Sequence, residues 1–287
     1  KFYRSESKII DDQELEDEIS ERGVEALAWY ISFHQSNKWG IYFRVRGLSY
    51  LSNIFKYKSN FNDINRRIKV AYDLLYYHEF FHFLTDMVSS NMEMVYRDVL
   101  YNYYLEFLEY LEGSKRDAYN NIYIEEPLAN AYVLKRMPKK YHYRIKNFFN
   151  IQPKPYSQFY CFLSEDTFVR GKRKLGAIVR YAAAPQKIIN APIIKSEKEA
   201  LKNRESLVQS YLEVIIKDFP KIKEPFWEFL YNVDPEKLYL PYIPIYFVSE
   251  EHPNGKLRFK TPIIHNARIC VYIDDHPPPH IHVYIPV

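Results

Sequence analysis

Ala71-Tyr72-Asp73-Leu74-Leu75-Tyr76-Tyr77-His78-Glu79-Phe80-Phe81-His82-Phe83-Leu84-Thr85-Asp86 is the stretch on which the reading of this chain turns. Ala71, Leu74, Leu75, His78 and His82 recur every three or four residues, the period of a helix with one packing side. The spacing predicts a long helix over roughly 62–88. Within it His78 and His82 stand one turn apart on one face, about 5–6 Å apart at Cβ. That geometry suits two nitrogen ligands on a single Zn2+. Glu79 follows the first imidazole, close to the metal but badly placed to bind it. A carboxylate there can hold a water molecule and accept its proton. The bland alternative is a pair of core histidines held by backbone or carboxylate partners.

A catalytic zinc needs a third protein ligand and one open position. Ile124-Glu125-Glu126-Pro127-Leu128-Ala129-Asn130-Ala131-Tyr132 supplies the best candidate. Two acids open a helix that is otherwise apolar, with Pro127 suited to its first turn. Ala129 and Ala131 allow it to approach the histidine helix closely. Asn130 lies at i+4 from Glu126 and shares its face, so Glu126 is preferred over Glu125 as the ligand. Asn130 is then placed to support the far nitrogen of His78 or His82. Asp86, one turn beyond His82, is a second candidate for that supporting role. Both acids can equally be read as N-terminal residues favoured by the helix dipole. For the donor that must stabilise an oxyanion, Tyr119, Tyr123, Tyr132 and His142 remain open.

His78-Glu79-x-x-His82 followed by Glu126-x-x-Ala129-Asn130 resembles the gluzincin zinc metallopeptidases, and most of all the bacterial ImmA/IrrE-type proteases, over about residues 25–137. The resemblance implies that His78, His82 and Glu126 bind zinc and that Glu79 acts as base and then as acid.

Outward from this region, Asp11 and Glu14 have the shape of a capping box opening a helix to about Gly23. Residues 27–34 and 39–45 read as a hairpin whose edge strand would run beside the cleft and hold an extended peptide. Helices are expected at 48–56 and 92–112, the second packing through Val95, Val99, Tyr103 and Phe107. Past residue 138 periodic segments thin out. The basic run Arg170, Lys172, Arg173, Lys174 reads as a solvated loop. Ser196 and Glu199 open a helix over 196–219. Strands follow at 245–248 and 257–259 around Pro253-Asn254-Gly255, then at 269–273 and 280–285. The expected fold class is α+β: a mainly helical zinc-peptidase core with a small sheet over 1–192, and a mixed α/β accessory domain over 193–287.

The chain closes on Asp274-Asp275-His276-Pro277-Pro278-Pro279-His280-Ile281-His282. His280 and His282 would share one strand face. With His276 they can form a second metal site, an anion site or an inhibitory plug, or can simply pack as polar strand residues. The segment resembles the His-Pro-Pro-His-x-His signature of a small uncharacterised bacterial domain found near toxin–antitoxin genes. That implies a bacterial stress-response or defence setting.

Composition narrows the function classes. With 47% hydrophobic and 26% charged residues the chain can bury a sizeable core, and its 7 glycines exclude collagen-like repeats. The most apolar window, Leu238 to Val248, is too short for a membrane span and contains Pro241 and Pro244. A net charge of +4 gives little support for a nucleic-acid partner. Two cysteines, Cys161 and Cys270, make no disulfide framework, and residues 1–20 lack the apolar stretch of a leader. A reducing, cytoplasmic setting is expected. The expected function is zinc-dependent hydrolysis of a peptide bond in a specific intracellular protein. The competing expectation is a non-catalytic zinc protein serving regulation or a toxin–antitoxin interaction.

Overall fold

The computed structural model describes residues 12–56, 63–113, 123–190 and 243–249, with 206–207, 210, 256–258, 268–272 and 282–284. The elements run α1 (Asp12–Arg22), β1 (Ala28–Ile31), β2 (Gly40–Arg44), α2 (Val45–Ile54), α3 (Ile64–Tyr96), α4 (Tyr101–Gly113), α5 (Glu125–Arg136), α6 (His142–Asn150), α7 (Glu165–Asn190), β3 (Ile245–Val248), β4 (Lys256–Arg258), β5 (Arg268–Tyr272) and β6 (His282–Tyr284). The described residues are mainly helical with a small sheet, an α+β arrangement.

Helix α3 is the axis around which the rest packs. Its 33 residues span about 50 Å at 1.5 Å rise per residue. The Asp63 carboxylate starts it by accepting from the Asn65 N–H at 3.0 Å. Its middle is buried nearly all round, through Leu74, Leu75, Phe80, Phe81, Phe83 and Leu84. The break expected near residues 89–91 does not occur. Ser89, Ser90 and Asn91 instead donate back to the carbonyls of Thr85, Asp86 and Met87 at 2.7, 3.0 and 2.8 Å. These polar side chains are thus satisfied inside the helix.

The helix ends at Arg97, whose φ of 54° is left-handed. Glu93 then caps α4, accepting from the N–H groups of Leu100 and Tyr101 at 2.8 and 3.0 Å. Val95 and Val99 therefore sit on the surface, 68% and 43% exposed, and belong to no packing stripe.

Strands β1 and β2 form the expected hairpin, with Ala28 opposite Phe43 and Ile31 opposite Gly40. The sheet order is β1-β2-β3-β4-β5-β6, which leaves β1 at an edge. Strand β3, from beyond residue 193, lies parallel to β2 with Phe43 beside Phe247. One sheet face meets α3, where the Phe43 ring lies 4.9 Å from that of Tyr72. On the other face Trp29, Tyr42 and Tyr246 stack in a row at 5.4 and 4.3 Å. The strand pairs expected at 245–259 and 269–285 appear as β3–β4 and β5–β6. The helix expected over 196–219 falls, but for residues 206–207 and 210, outside the described residues.

The basic run at 170–174 is not a solvated loop. It lies within α7, and Lys172 is only 1% exposed. Its ammonium sits 5.0 Å from the centre of the Phe168 ring, so an aromatic face meets the buried charge. Gly171 is needed here for close approach: a Cβ would stand 2.7 Å from Leu128 and Phe162 side-chain atoms. That contact seats α7 against α5.

Gly23 fixes a second close contact that reaches the site. Its φ is +64°, and a Cβ there would lie 2.8 Å from the Tyr156 ring. Gly23→Ala is expected to cost about 1–3 kcal/mol, through backbone strain and displacement of Tyr156, measured as a drop in denaturant midpoint at unchanged slope.

Candidate metal centre

Helix α3 delivers His78, Glu79 and His82, and the first turns of α5 deliver Glu125, Glu126 and Asn130. Acids at the start of α5 and Lys135 with Arg136 at its end both complement the helix dipole. His78 Nε2 stands 3.3 Å from His82 Nε2 and 3.1 Å from Glu126 Oε2. His82 Nε2 lies 3.5 Å from Glu126 Oε1. The three ligand atoms fall within 4.8 Å of one another, so His78, His82 and Glu126 form a group that can hold a metal ion.

The hydrogen bonds behind the imidazoles decide what faces that point. Asn130 donates through Nδ2 to the Tyr156 carbonyl at 3.0 Å, which turns its Oδ1 toward His78 Nδ1 at 2.9 Å. His78 Nδ1 must therefore carry the proton, leaving a lone pair on Nε2. Glu125 Oε1 accepts from His82 Nδ1 at 2.9 Å, with the same result for the second ring in its neutral form. Two nitrogen lone pairs and a carboxylate then confront one another in a buried site. Such a constellation is suited to a cation between them. A proton on His82 fills that role partly, while a divalent ion engages all three donors at once.

Electrostatics agree with this reading. Burial lowers the His78 pKa. At His82 burial also works against the charge, but Glu126 and Glu125 outweigh it and lift the pKa well above the ordinary value. Burial pushes Glu126 upward, yet the His82 charge and the close approach of both imidazoles hold it below the usual carboxylate range. Glu79 is 2% exposed and its Oε1 has no hydrogen-bond partner. Burial, aided by the charges of Glu126 and Glu25, pushes its pKa up to about 8, against the pull of His82 and the Tyr30 backbone N–H. Glu79 is thus a carboxyl group able to exchange a proton near neutrality.

Glu79, His82, Glu125 and Glu126 line a cleft of about 700 Å3, with His78 buried behind them. Strand β1 contributes Trp29 and Tyr30 to its wall, α4 contributes Tyr101, and Tyr156 closes one side. The Tyr156 ring also stacks on His78 at 6.1 Å.

Of the residues singled out in the sequence, His78, Glu79, His82, Glu126 and Asn130 meet here. Asp86 does not join them. It bonds Tyr30, Ser32 and His34 instead, because α3 carries it past the metal-facing turn to a position beneath the exit of β1. Glu125 takes the supporting role at His82. The sequence offered the two adjacent acids but no reason to set one between the imidazoles and the other behind His82. Tyr123 lines the cleft and donates to the Leu108 carbonyl at 2.9 Å. Tyr132 is buried among Phe81, Tyr77 and Phe168, and His142 bonds the Met137 carbonyl. Tyr156 had no sequence signal. Tyr119, His276 and His280 lie outside the described residues, and His282 is placed by backbone pairing in β6, opposite Cys270.

Comparison of the chain with protein-family models, with curated proteins and with solved structures finds no match. Among the described residues no helix is long and apolar enough to cross a membrane.

Removing either support weakens the centre without touching a ligand. Asn130→Ala and Glu125→Ala are each expected to lower divalent-metal affinity roughly ten- to hundredfold, read by competition with a chromogenic chelator. A separate pH effect comes from His34, whose pKa is raised by its hydrogen bond to Asp86 and by the charges of Asp86 and Glu93. That stabilisation is complete below about pH 6.5, the unfolded value, and drains away as pH rises through the higher native value. The His34 contribution to melting temperature should therefore fall as pH rises above about 6.5, and His34→Gln should flatten that fall.

Proposed function

We propose that this chain is a zinc-dependent peptidase acting on an extended segment of a protein substrate. The observation that carries the reading is the convergence of His78, His82 and Glu126 beside Glu79, a buried carboxyl with an unpartnered oxygen, at a cleft that His82, Glu126 and Glu79 line. Two imidazoles and one carboxylate make a nitrogen–oxygen donor set suited to zinc, and three protein ligands leave a coordination position for substrate chemistry. A purely structural site would use four protein ligands, whereas the described residues bring three together. A divalent ion held there supplies Lewis acidity, polarising the scissile carbonyl and bringing the pKa of a water molecule toward about 7.

The chain's own groups do the rest. Asn130 and Glu125 hold the two imidazoles in orientation. Glu79, whose charged form the nearby Tyr30 N–H favours, takes the proton of the attacking water and returns it to the leaving amine. The edge position of β1 beside the cleft supports binding of the peptide as an added strand.

Glu79→Gln separates this reading from a non-catalytic metal protein. Zinc content by metal analysis is expected to stay at the wild-type level while kcat on a quenched-fluorescence peptide library falls by about 10²–10⁴. Equal turnover in Glu79→Gln and wild type would overturn the peptidase assignment.

A further inference from the structure

Outside the metal ligands, the most completely engaged buried charge on α3 is Asp86, with a fully buried side chain. Three donors from one strand and its exit converge on it. Tyr30 Oη donates to Oδ2 at 2.8 Å, Ser32 Oγ donates to the same oxygen at 2.5 Å, and His34 Nδ1 meets Oδ1 at 2.5 Å. The far side of His34 is held as well, with Nε2 at 3.0 Å from Glu93 Oε2 and 3.4 Å from Ser90 Oγ. Tyr30 lies within β1, and Ser32 and His34 lie in the turn that leaves it, so the strand and its exit are pinned to one helix. Asp86 itself lies one turn beyond His82, and Tyr30 lines the cleft. Charge-assisted bonds of this kind are about twice as strong as neutral ones and hold geometry tightly when buried.

We infer that Asp86 is a positioning residue that locks the edge strand β1, through Tyr30, Ser32 and His34, at a fixed height over the metal-bearing helix, so that a peptide laid along β1 meets Glu79 and the metal in register. The inference rests on the peptidase reading and adds to it a residue that touches neither substrate nor metal. Asp86 shares no hydrogen bond with the ligand set: the supports of His78 and His82 are Asn130 and Glu125. Loosening the clamp therefore acts on peptide placement and leaves metal binding alone.

The test uses the zinc-loaded full chain, with Asp86→Asn and, since a buried substitution can impair folding, Tyr30→Phe, which removes one strut and keeps the ring. The probe is the best-cleaved member of a quenched-fluorescence peptide library. Zinc affinity is expected to stay within about twofold of wild type, KM to rise roughly five- to tenfold, and kcat to change by less than about twofold. Backbone amides across 28–34 should exchange with deuterium faster in both variants, while those of α5 keep their wild-type rates. An unchanged KM, or a KM change matched by an equal loss of zinc affinity, would overturn the clamp while leaving the peptidase reading intact. A wild type that binds zinc and cleaves nothing in the library would overturn both.

Discussion

Everything at this site depends on two imidazole nitrogens held 3.3 Å apart with a carboxylate between them, at the largely buried edge of a cleft. Unpaired, such lone pairs and charge would cost several kcal/mol in a buried setting. The fold accepts that cost by fixing the outer nitrogens first. Asn130 is anchored to the Tyr156 carbonyl, and Glu125 sits at a helix start whose dipole favours its charge. Two short polar links thus set the direction of the lone pairs, and the surrounding packing of α3 against α5 keeps them there.

Glu79 shows the same economy. A carboxyl buried beside opposed charges, with one oxygen unmatched, is a poor element of stability and a good element of proton transfer. The N–H of Tyr30, which favours its charged form, belongs to the strand that borders the cleft. The same strand thus lines the cleft and influences the carboxyl group at its base.

Much of this was legible in the sequence because it is local. Helical spacing alone put His78 and His82 together and placed Asn130 on the face of Glu126. What escaped was long-range or ambiguous at the scale of one residue. Neighbouring acids at 125 and 126 carry the same chemistry, and only the docking angle of α5 sets Glu126 against both inner nitrogens and Glu125 behind His82. Asp86 looked like a support for the histidines because it continues their spacing, yet Tyr30, Ser32 and His34 approach from more than fifty residues away. Nothing local assigns those three side chains a destination. Helix α7 was hidden by Gly171, Pro185 and four basic residues, all readable as loop. The end of α3 was placed too early because Ser89, Ser90 and Asn91 resemble breakers until their side chains are seen bonding back to the preceding turn.

The positions 78, 79, 82 and 86 share one uninterrupted helix, and this has an evolutionary consequence. Adding or deleting a single residue between His78 and Asp86 would swing everything downstream by about 100°. Either His82 would leave the metal face or Asp86 would leave the strand, and no side-chain adjustment spans such a rotation. Descendants of this chain can vary freely in the lengths of their loops, but the nine-residue ruler from His78 to Asp86 is closed to insertion and deletion.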